Sequence, residues 1–134
     1  MNTQERQVAL VVEDNWLIRE YVSEVLRDGG FAVLPAADGL EAMRLFRQHV
    51  REIDLVISDL RMPNMNGGAL CRAIHEMRPD LPIIIASGCD DGERRRFTAG
   101  LPVAAELRKP FEREELLRTA WRSTGICGEF AAAL

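Results

Sequence analysis

The sequence predicts a doubly wound α/β fold, in which five strands form an open, mostly parallel sheet with helices on both faces. Two observations lead to this prediction. Short runs that are apolar throughout recur along the chain, as is typical of strands buried on both faces of a parallel sheet. Between them lie segments with apolar residues at three- and four-residue spacing, the pattern of helices that bury one side. The 134 residues suit one domain with a sizeable core.

The first strand and helix show the pattern most clearly. Residues 8–12 are apolar throughout and are followed by Glu13, Asp14 and Asn15, whose side chains can cap a helix. Residues 29–30 are both glycine, which ends the helix. The apolar stripe predicted for this helix consists of Leu17, Ile18, Tyr21, Val22, Val25 and Leu26.

The same alternation continues to the end of the chain. Further strands are predicted at residues 31–34, 55–58 and 81–86, and a weaker one at 103–107. Asp38 is positioned to cap the second helix, and Pro79 closes the third. The inner faces of the second, third and last helices are predicted to be Ala42, Leu45 and Phe46; Leu70, Ile74 and Met77; and Leu116, Leu117, Ala120 and Trp121.

Residues 90–98 depart from this pattern because they are polar and offer only Phe97 as a large apolar side chain. A helix here is expected to be loosely docked, and loosely docked elements are those that move. The segment contains the one notable basic cluster, residues 94–96, which we interpret as a solvated helix face. With a formal net charge of -4, we expect no nucleic-acid binding by this chain.

Composition and the ends of the chain exclude several other classes. The longest apolar runs are far too short to span a bilayer, and residues 1–6 lack the plan of a secretory signal. Cys71, Cys89 and Cys127 are widely spaced and form no zinc-like set with His49 and His75. We therefore expect free thiols in a reducing cytoplasm, surface histidines and no membrane contact.

The two ends are expected to lie outside the folded domain. Residues 1–5 are interpreted as an N-terminal extension and residues 124–134 as a C-terminal tail. Residues 129–134 (Glu-Phe-Ala-Ala-Ala-Leu) read like residues encoded by a cloning site, so we exclude them from fold reasoning.

Polar side chains follow four of the predicted strands. Glu13 and Asp14 follow the first strand, Asp59 the third, Ser87 the fourth and Lys109 the fifth. Right-handed crossovers place the carboxyl ends of parallel strands at one edge of the sheet, where such folds bind ligands. We therefore expect three carboxylates, a hydroxyl and an ammonium to converge there.

This set of groups suits phosphoryl chemistry. Three crowded carboxylates repel one another unless a cation is present, and oxygen ligands alone favour Mg²⁺. Asp59 could attack phosphorus to form an acyl phosphate, while Lys109 offsets negative charge and Ser87 hydrogen-bonds to a phosphoryl oxygen. In the alternative interpretation, Asp14 only caps a helix, Ser87 lies in a turn and Lys109 is a surface charge.

Four segments of this set resemble a known family. They are residues 11–15 (Val-Val-Glu-Asp-Asn), 58–67 (Ser-Asp-Leu-Arg-Met-Pro-Asn-Met-Asn-Gly), 86–88 (Ala-Ser-Gly) and 109–111 (Lys-Pro-Phe). In order and spacing they are similar to the signature segments of the receiver domains of bacterial two-component response regulators. The resemblance covers about residues 6–123. It implies a flavodoxin-like (βα)5 fold with strand order 2-1-3-4-5.

The resemblance also implies roles for the acidic residues. Asp59 would be the phosphoacceptor. Glu13 and Asp14 would hold Mg²⁺, with Asp14 the direct ligand, joined by Asp59 and by the backbone carbonyl of Arg61. Arg61 and Cys89 would occupy positions that tune the lifetime of the phosphoryl group.

Further roles follow for residues near the fifth strand. Ser87 would be the hydroxyl that follows the phosphoryl group, Lys109 the lysine that contacts it, and Pro110 a cis-proline. The family usually has Tyr or Phe three residues before the lysine, a ring that changes rotamer on activation. Here that position is Glu106, so the usual coupling between Ser87 and the output face is in question.

The function that the resemblance implies is a cytoplasmic signalling switch rather than an enzyme acting on other substrates. A histidine kinase or histidine phosphotransfer protein would phosphorylate Asp59. The changed conformation would then signal through contacts with a downstream protein, or through a homodimer that uses the face of the fourth helix, fifth strand and fifth helix. The chain would be a stand-alone receiver or part of a longer regulator.

Two other functions use part of the same chemistry. A phosphatase of the haloacid dehalogenase type also forms an aspartyl phosphate, but it needs a second acid two residues after the nucleophile. That position is Arg61 here. A degenerate receiver would bind partners without phosphorylation; the intact acceptor, acidic pair, hydroxyl and lysine argue against it.

Overall fold

The computed structural model describes residues 6–125. The predicted extension at residues 1–5, most of the predicted tail and Cys127 lie outside the described residues. Within them, five strands alternate with five helices. The elements are β1 (Gln7–Val12), α1 (Trp16–Asp28), β2 (Phe31–Ala36), α2 (Gly39–Gln48), β3 (Ile53–Ser58), α3 (Gly67–Met77), β4 (Ile83–Ser87), α4 (Asp91–Thr98), β5 (Ala105–Arg108) and α5 (Arg113–Ser123).

All adjacent strands pair in parallel, in the order β2-β1-β3-β4-β5. Both the fold class and the strand order expected from the sequence are confirmed. Val12 of the central strand pairs with Ala36 on one side and Ser58 on the other, and Ser87 pairs with Arg108. The carboxyl ends of the strands therefore align, and the residues after them share one edge of the sheet.

Alternate residues of each apolar strand face two separate cores. In β1, Leu10 and Val12 belong to the core under α2 and α3, whereas Ala9 and Val11 belong to the core under α1 and α5. Because every position of the strand is covered by helices on one face or the other, the run is apolar throughout. Burial of this apolar surface is the main contribution that favours folding.

Helix ends match the predicted capping residues. Asn15 Oδ1 accepts a hydrogen bond from the N–H of Ile18 at 3.1 Å, and Asp38 Oδ1 accepts one from Glu41 at 2.8 Å. Each satisfies an N–H group that has no partner within its helix. Residue Gly29 caps the end of α1, as predicted.

The predicted stripes of α1 and α3 are wrong at three positions. Leu17 is 63% and Tyr21 44% exposed, although Val22, Val25 and other residues of the second half of α1 are buried. In the first part of α1, Tyr21 lines a groove beside Phe111 rather than the core. Met77, also predicted to face inward, is 47% exposed because α3 ends at this residue and the chain turns away.

Strand boundaries shift by one or two residues from those predicted. β4 begins at Ile83 rather than residue 81, since Pro82 has no N–H to give to the ladder. It extends to Ser87, which is therefore the last residue of the strand. β5 begins at Ala105, where pairing with Ile84 starts, rather than at residue 103.

The loosely docked helix expected at residues 90–98 is present as α4, and none of its eight residues is buried. Phe97 is the partly buried side chain that packs against the core. Gly68 of α3 allows α3 and α4 to approach each other closely, because a Cβ atom at position 68 would lie 2.4 Å from the carbonyl oxygen of Phe97. Among residues 6–125, no helix combines the length and the apolar character needed to cross a membrane.

Candidate functional site

The edge of the sheet brings Asp59 next to the end of β1. Its N–H donates to the carbonyl oxygen of Val12 at 3.0 Å, which extends the β1–β3 pairing by one residue. Its Oδ1 accepts a hydrogen bond from the N–H of Leu60 at 2.7 Å. Asp59 is half-buried, so the backbone fixes its carboxylate while leaving it accessible from the edge.

Lys109 reaches two of the predicted acidic residues. Its Nζ lies 2.5 Å from Oε1 of Glu13 and 3.1 Å from Oδ2 of Asp59. Burial opposes the charged ammonium, but the hydrogen bond to Glu13 and the charge of Asp59 outweigh burial and raise the pKa of Lys109 above its ordinary value. Lys109 is the only lysine in the chain, and it is not the surface charge of the alternative interpretation.

Glu13 is buried and fully engaged. Its Oε1 accepts from Lys109, and its Oε2 accepts from the N–H of Asn15 at 3.1 Å. Burial raises the pKa of Glu13 above its ordinary value, although Lys109 and the Asn15 N–H both act to lower it. Glu13 therefore serves in this structure to hold Lys109 and the start of α1.

Three carboxylates form one acidic cluster. Ligand oxygens of Glu13, Asp14 and Asp59 all lie within 4.8 Å of one another. Three carboxylates against the one ammonium of Lys109 leave a formal excess of negative charge, which is costly in a partly buried place. The donors are all oxygens, so the cluster suits a hard divalent cation.

Ser87 lies beside the cluster. Its side chain is buried, and its Oγ accepts a hydrogen bond from the N–H of Cys89 at 2.9 Å. Its carbonyl oxygen accepts from the N–H of Lys109 at 3.0 Å. The Lys109–Pro110 peptide bond is cis, as the resemblance implied.

Backbone contacts in the loop after Asp59 explain why residue 67 is glycine. The N–H of Gly67 donates to the carbonyl oxygen of Leu60 at 2.8 Å. A Cβ atom at position 67 would lie 1.9 Å from the carbonyl oxygen of Asp59, so only glycine fits. Asn64 has a φ of 73°, a left-handed conformation that Asn tolerates better than most residues.

A cleft of about 520 Å³ opens beside the acidic cluster. It brings four of the predicted site residues together with two acidic residues at the start of α4, Asp90 and Glu93. The complete lining is Asp59, Arg61, Ser87, Gly88, Cys89, Asp90, Glu93 and Lys109. Asp14 lies within the acidic cluster and is exposed.

Sequence reasoning missed three ion pairs that join α4 to its neighbours, one of them between Asp91 and Arg108 of β5 at 3.3 Å. The guanidinium of Arg61 pairs with Glu93, and Arg94 Nε lies 2.6 Å from Oε1 of Glu106. At position 106 the sequence has a charged residue where the family has an aromatic ring. No local pattern identifies Arg94, twelve residues earlier, as the ion-pair partner of Glu106. These pairs depend on how α4 is placed against β5 and against the loop after β3.

The remaining candidates lie apart from this set. His49, at the end of α2, contacts Glu52 through Nδ1 at 2.7 Å, and His75 is half-buried on α3. Arg95 and Arg96 are exposed, as expected for a solvated helix face, but the expectation is wrong for Arg94, whose side chain is only 19% exposed and pairs with Glu106. Cys71 is fully buried, and burial raises the pKa of its thiol to about 12, which makes it unreactive.

The family model of the response regulator receiver domain matches residues 9–120. Among curated relatives, the alkaline phosphatase synthesis transcriptional regulatory protein SphR of Synechococcus elongatus is 38% identical over 117 residues, covering 81% of this chain and 45% of the relative. The response regulator MprA of Mycobacterium sp. (strain KMS) is 37% identical over 110 residues, covering 81% of this chain and 46% of the relative. The chain thus spans less than half the length of these relatives.

Solved structures show the same fold. The chemotaxis protein CheY4 of Vibrio cholerae has a TM-score of 0.80 and 32% identity, covering 88% of this chain and 98% of that chain. A response regulator receiver domain protein from Clostridium thermocellum has a TM-score of 0.82 and 27% identity, covering 89% and 94%. The family match covers nearly the whole region of alternating strands and helices, and the chain therefore belongs to the response regulator receiver domains of two-component systems.

Proposed function

We propose that the chain accepts a phosphoryl group on Asp59 from a histidine kinase or a histidine phosphotransfer protein, and that the resulting change of conformation signals through protein contacts. The observation that carries this proposal is the position of the Lys109 ammonium, which bonds to both Glu13 and Asp59 at the edge of an open cleft. A carboxylate nucleophile with a cation fixed beside it is the arrangement that aspartyl phosphorylation requires.

The proposed step is a phosphoryl transfer. A carboxylate oxygen of Asp59 forms a bond to phosphorus, and the bond between phosphorus and the donor histidine nitrogen breaks, leaving its electron pair on the imidazole. Lys109 offsets the negative charge that approaches Asp59, and the Ser87 hydroxyl donates a hydrogen bond to a phosphoryl oxygen. The protein contributes positioning and electrostatic stabilisation, as is usual in phosphoryl transfer.

The acidic cluster fits Mg²⁺ as the cofactor. Glu13 and Asp14 would hold the ion, with Asp14 a direct ligand together with Asp59 and the backbone carbonyl of Arg61. Bound Mg²⁺ would offset the charge of the phosphoryl oxygens.

Transmission and partners complete the proposal. Glu106 pairs with Arg94 at the position where the family has a ring, so signalling would pass through α4 rather than through a rotating aromatic side chain. The output would be contact with a downstream protein or a homodimer through the α4–β5–α5 face. We propose a cytoplasmic protein that binds neither nucleic acid nor membrane and that catalyses only its own phosphoryl uptake and loss.

The test is the intact mass of the protein after incubation with acetyl phosphate and Mg²⁺. We expect the mass of one phosphoryl group to be added to the wild type and to Asp28→Asn, a matched change of an exposed aspartate on α1. Asp59→Asn should show no adduct, and chelation of Mg²⁺ should prevent it in the wild type. Absence of an adduct with acetyl phosphate and with a phosphorylated histidine donor would overturn the proposal.

The same incubation separates the switch from a phosphatase. A switch releases its phosphoryl group slowly and in proportion to the protein present. Rapid, repeated hydrolysis of unrelated phosphate esters would contradict the proposal and favour the haloacid dehalogenase type of activity.

A further inference from the structure

The attachment of α4 depends on arginine contacts and on the partly buried Phe97 rather than on fully buried side chains. None of its residues is buried. Arg94 Nε lies 2.6 Å from Glu106 on β5, and a guanidinium nitrogen of Arg72 on α3 donates to the carbonyl oxygen of Phe97 at 2.9 Å. At the start of the helix, Glu93 pairs with Arg61.

The Arg61–Glu93 pair differs from the others because both residues line the cleft beside Asp59. The Glu93 side chain is 19% exposed, whereas the Arg61 side chain is 66% exposed. Glu93 is thus held near the pocket by a guanidinium that has ample freedom to move. Asp90, which caps α4 through a bond to the N–H of Glu93, brings a second carboxylate to the same side of the cleft.

A phosphoryl group on Asp59 would compete for this guanidinium. It carries more negative charge than a carboxylate and offers three acceptor oxygens, and the planar fork of arginine binds phosphate in a bidentate manner. Once Arg61 turns to the phosphoryl group, Glu93 loses its cation and faces an added negative charge. Repulsion then acts on the first turn of the helix that has no buried residue to hold it.

We propose that Arg61 exchanges partners, from Glu93 in the unphosphorylated protein to the phosphoryl group on Asp59, and that this exchange releases the start of α4. The inference rests on the proposed function and gives the Arg61 side chain a role in signalling, beyond the effect on phosphoryl lifetime that the resemblance implied for this position. It replaces a rotating ring with a competition between two anions for one cation.

The test is a double-mutant cycle on the binding of beryllofluoride, a mimic of the phosphoryl group, to the full chain in saturating Mg²⁺, followed by fluorine NMR. Glu93→Gln frees Arg61, so we expect the apparent affinity to rise about three- to fivefold, the range of an exposed ion pair. Arg61→Gln should lower the affinity about tenfold, as expected for loss of a charge-assisted hydrogen bond. With Arg61→Gln already present, Glu93→Gln should change the affinity no more than the control Glu114→Gln, which removes an exposed carboxylate from α5.

The structural readout is amide hydrogen exchange of α4. Beryllofluoride should speed exchange in the wild type, and Glu93→Gln should do so without it. Arg61→Ala and Glu93→Ala provide a second cycle, so the result does not depend on one pair of substitutions. If the wild type binds beryllofluoride but the two substitutions change its affinity independently, the exchange of partners by Arg61 is overturned and the proposed function is not. A wild type that binds no beryllofluoride would overturn the proposed function and the exchange together.

Discussion

Lys109 shows at the scale of one residue how charge is balanced in the acidic cluster. It bonds to Glu13 and Asp59 at once, and its raised pKa indicates that these carboxylates outweigh the unfavourable burial of the ammonium. The interaction also couples the end of β5 to the ends of β1 and β3. Losing it would leave two carboxylates close together without a cation.

The pKa of Lys109 can be measured directly because it is the only lysine in the chain. Carbon NMR of protein labelled at the lysine ε-carbon, without Mg²⁺, should give one lysine signal that titrates above 10.5 in the folded state. In urea the value should return to the ordinary one. In Glu13→Gln burial should prevail and the pKa should fall. A folded-state pKa below that in urea would contradict the ion pairs.

The raised pKa of Lys109 makes the free energy of unfolding depend on pH. Above 10.5 the folded chain holds the lysine proton more tightly than the unfolded chain, so the contribution of the ammonium is complete below that pH. It is lost as pH rises through the folded pKa. Urea unfolding should show the free energy of unfolding falling more steeply in this window for the wild type than for Lys109→Gln; parallel curves would count against the coupling.

Gly67 is a residue whose size alone decides the geometry of the site. A Cβ atom there would meet the carbonyl oxygen of Asp59 at 1.9 Å, so Gly67→Ala must displace the loop that carries the phosphoacceptor. We expect a loss of about 2 kcal/mol or more in urea unfolding, at the upper part of the range for overpacking. Phosphorylation by acetyl phosphate should fall as well.

Gly92 provides the control for this substitution. The nearest atom to its built Cβ, an oxygen of Asp90, is at 3.5 Å, an ordinary contact on the exposed helix α4. Gly92→Ala should therefore be neutral or stabilise by up to about 1 kcal/mol, the difference in helix propensity. Equal losses for the two variants would show that steric contact with Asp59 is not the cause.

At the scale of the element, α4 differs from α3 in the forces that hold it. α3 buries Leu70 and Ile74, whereas α4 relies on Phe97 and on ion pairs such as Arg94–Glu106. Salt screens exposed charges but leaves apolar burial largely unaffected. The two helices should therefore respond differently to ionic strength.

We expect sodium chloride to speed amide hydrogen exchange in α4 about two- to fivefold, as expected for weakened exposed ion pairs, and to leave α3 nearly unchanged. Arg94→Gln should reduce this dependence because one of the pairs is already absent. Exchange in α4 that does not depend on salt would show that Phe97 and the backbone are sufficient to hold the helix.

At the scale of the whole molecule, one sheet separates two cores. Phe46 is fully buried in the core under α2 and α3, and Leu116 in the core under α1 and α5. Both cores share the same strands, so the folded state should be lost as one cooperative unit.

Truncation in either core should therefore lower the same free energy of unfolding. We expect Phe46→Ala to cost about 3–5 kcal/mol and Leu116→Ala about 2–5 kcal/mol, each with a single transition in urea. Leu40→Ala, at a side chain that is 58% exposed, should stay within about 0.5 kcal/mol of the wild type. Separate urea-unfolding transitions for the two cores would show that the chain does not unfold as a single cooperative unit.

Helix α1 was predictable from the sequence only in part. The helix, its cap at Asn15 and its end at Gly29 were predictable from local chemistry. The exposure of Leu17 and Tyr21 was not, because helical spacing shows which residues share a face but not how much of that face the neighbouring elements cover. The prediction that Met77, at the end of α3, faces inward is wrong for the same reason.

The sequence by itself determined the order of strands and helices, the sheet edge that gathers Asp59, Ser87 and Lys109, and the family. These follow from periodicity, capping and short motifs, which are local properties of the chain. Only the tertiary structure decided that Lys109 bonds to Glu13 as well as Asp59, and that α4 is joined to its neighbours by Arg61–Glu93 and other pairs. Such partners lie far apart in sequence, and long side chains meet only where the packing of whole elements places them.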